Sequence, residues 1–162
     1  MLPALSKDPK RSLWSARFLL CEGVPHMGCP QAVQTISSGE VIMAKKVLIV
    51  EDYEDIRRMM KIMIEQYGYE ALEAGDGYEA VEKAARFKPD IVLMDISMPV
   101  LDGLNATRAI RQFDEGADIP ILAVTAYGDF YKDKAIDAGC NDVISKPLHF
   151  EQLQPIIERY IS

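Results

Sequence analysis

Hydrophobic and polar positions follow two different regimes along the chain, and the change falls near Met43. Before it, neither a helical nor a strand period is sustained, and four prolines interrupt the segment. After it, short continuous apolar runs alternate with stretches whose apolar residues recur every three or four positions. Such runs are typical of strands buried on both faces, and such spacing is typical of amphipathic helices. The pattern predicts a disordered arm over residues 1–42 and one folded domain over residues 43–162.

The folded part contains five predicted strand–helix units. The strands are expected at Val47–Val50, Tyr69–Ala74, Ile91–Met94, Ile119–Val124 and Val143–Ile144. The helices are expected around Ile56–Tyr67, Val81–Ala85, Leu104–Arg111, Asp129–Ala138 and Leu153–Tyr160. Their predicted ends include Gly68, Lys88-Pro89 and Gly139, a turn is expected at Asp76-Gly77, and Pro155 removes a backbone hydrogen bond unless it lies in the first turn. Strands and helices in alternation imply an α/β fold with a parallel sheet covered on both faces.

Polar residues follow the predicted strands at the ends where ligands of such sheets bind. These residues are Glu51, Asp52, Asp95, Thr125 and Lys146. Taken singly, each has an ordinary interpretation as a helix cap, a loop hydrogen bond or a surface charge. Three carboxylates and one ammonium at neighbouring strand ends are harder to explain in that way. The combination predicts a functional site at this edge of the sheet.

The chemistry open to such a cluster is limited. Three neighbouring carboxylates repel one another, so they share protons or bind a cation. Oxygen ligands favour a hard ion such as Mg²⁺, with Glu51 and Asp52 as its ligands. Asp95, on the central strand, is the predicted nucleophile toward phosphorus, because a carboxylate can form an aspartyl phosphate. A lysine and a hydroxyl can then neutralise charge on the phosphoryl oxygens.

Four segments of the folded part together resemble the receiver domain of bacterial two-component response regulators, in particular stand-alone regulators of the chemotaxis type. The segments are VLIVEDYED, IVLMDISMPVLDG, ILAVTAYG and VISKPLHF, in that order along residues 43–162. The resemblance implies a flavodoxin-like, doubly wound sheet of five parallel strands in the order 2-1-3-4-5. It also implies that phosphorylation and dephosphorylation occur at the domain itself, which is not a turnover enzyme in the usual sense.

The resemblance also implies roles for individual residues. A sensor histidine kinase or phosphotransfer protein would donate the phosphoryl group of its phospho-histidine to Asp95. Mg²⁺ would be bound by Glu51, Asp52, Asp95 and the backbone carbonyl of Ser97. The phosphoryl oxygens would contact Thr125 and Lys146, the Lys146-Pro147 bond is expected to be cis, and Ala126 would leave room for the donor.

One position departs from the pattern of this family. Receivers often carry Tyr or Phe three residues before the active-site lysine, whereas this chain has Val143. A rotation of an aromatic ring at this position is therefore excluded. We expect the phosphorylation signal to leave through the loop after the fourth strand or through Tyr127.

The predicted output is protein binding. The chain stops at Ser162, after the last predicted helix, so we expect no C-terminal output domain. In related receivers the fourth helix, fifth strand and fifth helix form the partner surface, which here would lie near Tyr131, Leu148, His149 and Phe150. The alternative is a pseudo-receiver that binds partners without phosphate, and the retained acidic and phosphate-contacting residues count against it.

Composition narrows the remaining possibilities. The chain has 162 residues and a net charge of −7, which disfavours direct binding to nucleic acid. No apolar run approaches the roughly 20 residues that span a bilayer, so no membrane insertion is expected. Three cysteines predict no disulfide framework, in keeping with a reducing cytoplasmic location.

Other sites and another start of translation are suggested by single features of the sequence. Cys21, His26 and Cys29 match no zinc pattern. The acidic loop after the first strand would repel a dinucleotide pyrophosphate. Ser97 stands where a phosphatase of the haloacid-dehalogenase type has a second aspartate. Met43-Ala44-Lys45-Lys46 resembles a natural start, so we hypothesise that translation begins at Met43.

Overall fold

The computed structural model describes residues 33–35 and 41–161. Val33–Thr35 (β1) and Val41–Met43 (β2) pair in an antiparallel two-stranded sheet. This pair spans the predicted boundary at residue 43, and β1 lies in the segment for which no regular structure was expected. The rest of the predicted arm, including the Cys21, His26 and Cys29 set, lies outside the described residues. The division into an arm and a domain stays a prediction.

A second sheet contains five parallel strands, each followed by a helix. The strands are β3 (Lys46–Val50), β4 (Glu70–Ala74), β5 (Ile91–Asp95), β6 (Ile121–Thr125) and β7 (Asp142–Ser145). The helices are α1 (Glu54–Gln66), α2 (Gly77–Phe87), α3 (Gly103–Ile110), α4 (Gly128–Ala138) and α5 (Phe150–Ile161). A short 3₁₀ turn, Asp114–Gly116, separates α3 from β6.

The strand order β4-β3-β5-β6-β7 confirms the expected 2-1-3-4-5 topology of the five-stranded sheet. All four neighbouring pairs are parallel, with Val50 opposite Met94, Asp95 opposite Val124, and Thr125 opposite Ser145. The order reverses between β3 and β5, which puts the carboxyl ends of these two strands at the switch point where ligands of doubly wound sheets bind.

Two apolar layers cover the sheet, one on each face. Alternate strand residues such as Leu48 and Met94 pack with α2, α3 and α4 on one face. The intervening residues, such as Ile49 and Leu93, pack with α1 and α5 on the other face. Because both faces are covered, β5 and β6 are buried along their whole length and β3 is buried from Val47 onward, which explains their continuous apolar runs.

Several local predictions are confirmed and several need correction. Gly68 and Gly139 end α1 and α4 with positive φ angles of 86° and 103°, as their positions predicted. Asp76-Gly77 is no free turn: Asp76 accepts the Glu79 amide as the cap of α2, and Gly77 is the first helical residue. A side chain there would meet the Leu101 carbonyl oxygen at 2.5 Å, which only glycine avoids.

The bounds of α2 and β6 differ from those predicted, and Pro155 lies inside α5. α2 extends over Gly77–Phe87 and is longer at both ends than the predicted Val81–Ala85. β6 begins at Ile121 rather than Ile119, after Pro120. Pro155 is the sixth residue of α5, beyond the first turn, so it cannot donate to the carbonyl four residues back. Among the described helices, none is long and apolar enough to cross a bilayer.

Candidate functional site

Three polar residues at neighbouring strand ends are as deeply buried as the apolar core. Glu51 follows β3 and is 1% exposed, Asp95 ends β5 and is 3% exposed, and Thr125 ends β6 and is fully buried. The parallel register brings these ends to one edge of the sheet. The predicted convergence of strand exits is therefore present in the structure.

Lys146 joins the two buried carboxylates. Its Nζ donates to Glu51 Oε2 and to Asp95 Oδ2, each at 2.7 Å. The residue follows β7 and its own amide donates to the Thr125 carbonyl at 2.8 Å, which continues the β6–β7 pairing by one residue. The Lys146-Pro147 bond is cis, as the family resemblance implied.

Asp52 completes an acidic cluster at this edge. Glu51, Asp52 and Asp95 each offer a carboxylate oxygen, and these oxygens lie within 4.8 Å of one another. Among the described residues, Glu51 Oε1 and Asp52 Oδ1 are buried side-chain oxygens without a hydrogen-bond partner. Buried polar atoms are normally satisfied, and unpaired carboxylate oxygens are the ligands that a hard divalent cation prefers. The donor set therefore fits Mg²⁺.

Burial and the contacts with Lys146 shift the pKa values of the site in opposite directions. Burial raises the pKa of the Glu51 carboxyl above 4.5, while the hydrogen bond from Lys146 lowers it in part. Burial alone would lower the pKa of Lys146, yet its bonds to Asp95 and Glu51 outweigh burial and raise that pKa. The ammonium is consequently held charged between the two carboxyl groups.

Backbone contacts fix the orientation of Asp95. The Ser97 amide donates to Asp95 Oδ1 at 2.9 Å, while Lys146 occupies the other oxygen. The first residue of α3, Gly103, packs against the Asp95 backbone, where a Cβ would lie 2.1 Å from the Asp95 carbonyl oxygen. Sequence reasoning missed Gly103, although the Asp102-Gly103 pair, a cap followed by glycine, stood in the quoted segment.

Thr125 sits beside a short exposed loop. Its Oγ1 accepts the Tyr127 amide at 3.2 Å. Ala126 is exposed, and the Tyr127 side chain is 66% exposed. Val143 is half-buried against the layer under α2, α3 and α4. Ser97 is exposed, and the described contacts do not assign a role to its carbonyl, so that role stays a prediction.

The predicted partner surface is only partly exposed. His149 is exposed, whereas Leu148 and Tyr131 are half-buried and pack against the two apolar layers. The Phe150 side chain lies outside the described part of the structure. Phe130, which sequence reasoning missed, is 66% exposed and meets the Tyr131 ring edge-to-face at 5.1 Å. The sequence shows the adjacent Phe-Tyr pair, but helical spacing alone does not tell which of the two rings faces the sheet.

Comparison with known proteins identifies the family. Residues 47–158 match the family model described as response regulator receiver domain. The polar-differentiation response regulator DivK of Brucella anthropi is 37% identical over 122 residues, which cover 74% of this chain and 98% of that protein. Its counterpart in Brucella ovis is 36% identical with the same coverage.

Solved structures agree. The receiver domain of a sensor histidine kinase from Pseudomonas aeruginosa, with a magnesium ion coordinated in its active-site cleft, is 37% identical with a TM-score of 0.69. The match covers 73% of this chain and 98% of that chain. A chemotaxis protein of Vibrio cholerae is 31% identical with a TM-score of 0.69, and the match covers 72% and 98% of the two chains. The chain belongs to the family of response regulator receiver domains.

Proposed function

We propose that this receiver accepts a phosphoryl group on Asp95 from a phospho-histidine and signals by binding a protein partner in its phosphorylated form. The observation that supports this most is the position of Lys146, shared at 2.7 Å between Asp95 and Glu51 beside two unpaired buried oxygens. That arrangement provides a nucleophile, a cation ligand set and a charged donor within one cluster.

The transfer step follows from these contacts. An Asp95 carboxylate oxygen forms the new bond to phosphorus, and the P–N bond of the phospho-histidine breaks. The imidazole, protonated on its other nitrogen, leaves as the neutral ring. Lys146 and the Thr125 hydroxyl then contact the phosphoryl oxygens, where negative charge must be neutralised.

The acidic residues form the proposed cation site. Glu51, Asp52, Asp95 and the Ser97 carbonyl are the proposed ligands of Mg²⁺, which supplies charge neutralisation on the phosphoryl group when it is bound. The receiver domain of the sensor histidine kinase from Pseudomonas aeruginosa, which holds magnesium in its cleft, supports this assignment by similarity.

The proposed donor is a sensor histidine kinase or a phosphotransfer protein, and the proposed receiver of the signal is a protein that contacts α4, β7 and α5. Val143 cannot switch as an aromatic ring would. The output is therefore proposed to pass from Thr125 through the loop to Tyr127, whose amide already bonds to the Thr125 hydroxyl. Loss of that hydrogen bond on phosphorylation would move an exposed ring directly before α4.

Intact-mass measurement after incubation with acetyl phosphate tests the proposal. We expect a mass increase of one phosphoryl group that requires Mg²⁺ and is absent in Asp95→Asn. Asp118→Asn is the matched control, because Asp118 is an exposed aspartate outside the cluster, and it should be phosphorylated like the parent. No mass increase under any condition would refute phosphotransfer and favour the pseudo-receiver.

A further inference from the structure

The first helix of the parallel domain begins differently from the two that follow it. Asp76 and Asp102 cap α2 and α3 by accepting the amide three residues ahead, each at 2.8 Å. Tyr53, the corresponding residue of α1, makes no side-chain cap. The two residues before it, Glu51 and Asp52, contribute carboxylates to the site instead. The turn from β3 into α1 is therefore held by some other contact.

Arg57 supplies that contact from one turn inside α1. Its Nη1 donates to the Glu51 carbonyl at 2.7 Å and, more weakly, to the Asp52 carbonyl at 3.4 Å. The side chain is 19% exposed, so these bonds are sheltered from competing water. Arg57 thus holds the backbone of the two acidic residues that each have one buried side-chain oxygen without a hydrogen-bond partner.

The guanidinium is itself oriented from β4. Glu73 lies 3.9 Å from Arg57 Nε through one carboxylate oxygen, and its other oxygen accepts Lys61 Nζ at 2.7 Å. Glu73 therefore limits the directions in which Arg57 can point. Nη1 carries two N–H groups, so this one nitrogen can donate to both carbonyls while Nε is held beside Glu73.

We propose that Arg57 is a positioning residue of the cation site, which holds Glu51 and Asp52 so that their unpaired oxygens converge before the cation arrives. At the acidic cluster, Arg57 contacts only the backbone carbonyls of Glu51 and Asp52, so its proposed role is to position them. Groups that orient metal ligands in this way commonly affect metal affinity strongly, because the ligands otherwise lose order that binding must restore. This inference rests on the proposed function, since it assumes that the cluster binds Mg²⁺.

If only the charge of Arg57 mattered, its removal would have the opposite effect on Mg²⁺ affinity. A guanidinium close to the cluster repels a divalent cation, so removal of its charge would strengthen Mg²⁺ binding if positioning did not matter. Arg58 offers a matched control for this effect. It is the next residue of the same helix and is exposed, and among the hydrogen bonds of the described residues it makes none to the turn.

The test is a Mg²⁺ titration followed through the NMR amide resonance of Ser97, which bonds to Asp95. Arg57→Gln should raise the Mg²⁺ Kd about tenfold, in line with the loss of an outer-shell partner. Arg58→Gln should leave Kd within about twofold of the parent. Arg57→Lys, which keeps the charge and one donor, should fall between them.

A second readout needs no metal. In EDTA, amide hydrogen exchange over residues 51–54 should be faster in Arg57→Gln than in Arg58→Gln, while the thermal unfolding midpoints report whether both variants are folded. Equal or tighter Mg²⁺ binding by Arg57→Gln would overturn the inference and leave the proposed function intact. Absence of Mg²⁺ binding by the parent would refute the proposed function, and the exchange data would still decide whether Arg57 orders the turn.

Discussion

The last apolar residue and the first polar residue of the three central strands are buried to the same degree but differ in chemistry. Val50, Met94 and Val124 belong to the apolar layers, and each is at most 1% exposed. Their neighbours Glu51, Asp95 and Thr125 are at most 3% exposed. At the end of each of these strands, an apolar core residue is therefore followed directly by a polar residue of the site that is buried to the same degree.

The two regions contribute to stability with opposite signs. Apolar burial stabilises the fold by about 25 cal/mol per Å². A buried carboxylate destabilises it unless paired, and in this site Lys146 is shared between two of them. The comparison predicts that truncation of the core weakens the protein, whereas neutralisation of the site strengthens it and removes its function.

The largest effect is expected in the core. Leu122→Ala removes a fully buried side chain from the layer under α1 and α5, which should lower the free energy of unfolding by about 2–5 kcal/mol. Ile136→Ala, on the half-exposed face of α4, should change it by less than about 0.5 kcal/mol. Urea denaturation followed by circular dichroism measures both values. Equal losses would contradict the assignment of the core.

A smaller loss of stability is expected at Gly103, where α3 packs against the backbone of Asp95. Gly103→Ala places a Cβ against the Asp95 carbonyl, so α3 must shift, at about 1–3 kcal/mol. Phosphorylation by acetyl phosphate should slow as well, because Asp95 moves with its backbone. Gly75→Ala, whose Cβ would meet neighbours only at ordinary contact distances, is the control. Should both alanines behave alike in urea, the close packing of α3 on Asp95 would be ruled out.

The smallest effect is a gain in stability, which is expected when Glu51 is neutralised. Glu51→Gln, in EDTA at neutral pH, should raise the free energy of unfolding by about 0.5–2 kcal/mol, as neutral substitutions at strained functional sites often do. The pKa of Glu51 is raised in the folded protein, so the folded state retains a proton that the unfolded state releases above its ordinary value of 4.5. The parent therefore loses stability as pH rises from 4.5 to the folded pKa.

The variant lacks this titration, so its advantage over the parent should grow across the same pH range and then stay constant. Urea denaturation at a series of pH values measures the difference. Glu70→Gln, which removes an exposed carboxylate at the start of β4, is the control. An advantage of Glu51→Gln that is independent of pH would argue against burial as the source of the raised pKa.

The fold and the main site residues could be predicted from the sequence because they depend on local patterns. Buried strands produce continuous apolar runs, and parallel strands bring their polar exits to one edge, so Glu51, Asp95, Thr125 and Lys146 could be placed together. Arg57 and Gly103 could not, since their roles depend on how closely α1 and α3 approach the strand ends. Asp76-Gly77 was misinterpreted because a cap followed by glycine has the same sequence as a tight turn.

The exposed ring of Phe130 was missed for a related reason. Helical spacing on α4 does not show whether Phe130 or Tyr131 faces the sheet, and packing places Tyr131 there. The valine at position 143 is read directly from the sequence, but its consequence for the phosphorylation switch stays a prediction.

The unpaired carboxylates at this edge of the sheet are proposed to bind a cation. The most direct test is the free energy of unfolding of the parent protein with and without Mg²⁺, beside Glu51→Gln. Binding to the folded state alone predicts a gain of about 2.7 kcal/mol at a Mg²⁺ concentration 100 times Kd. We expect this gain for the parent and a much smaller one for Glu51→Gln at the same concentration. A parent whose stability is the same in Mg²⁺ and in EDTA would refute cation binding at this edge.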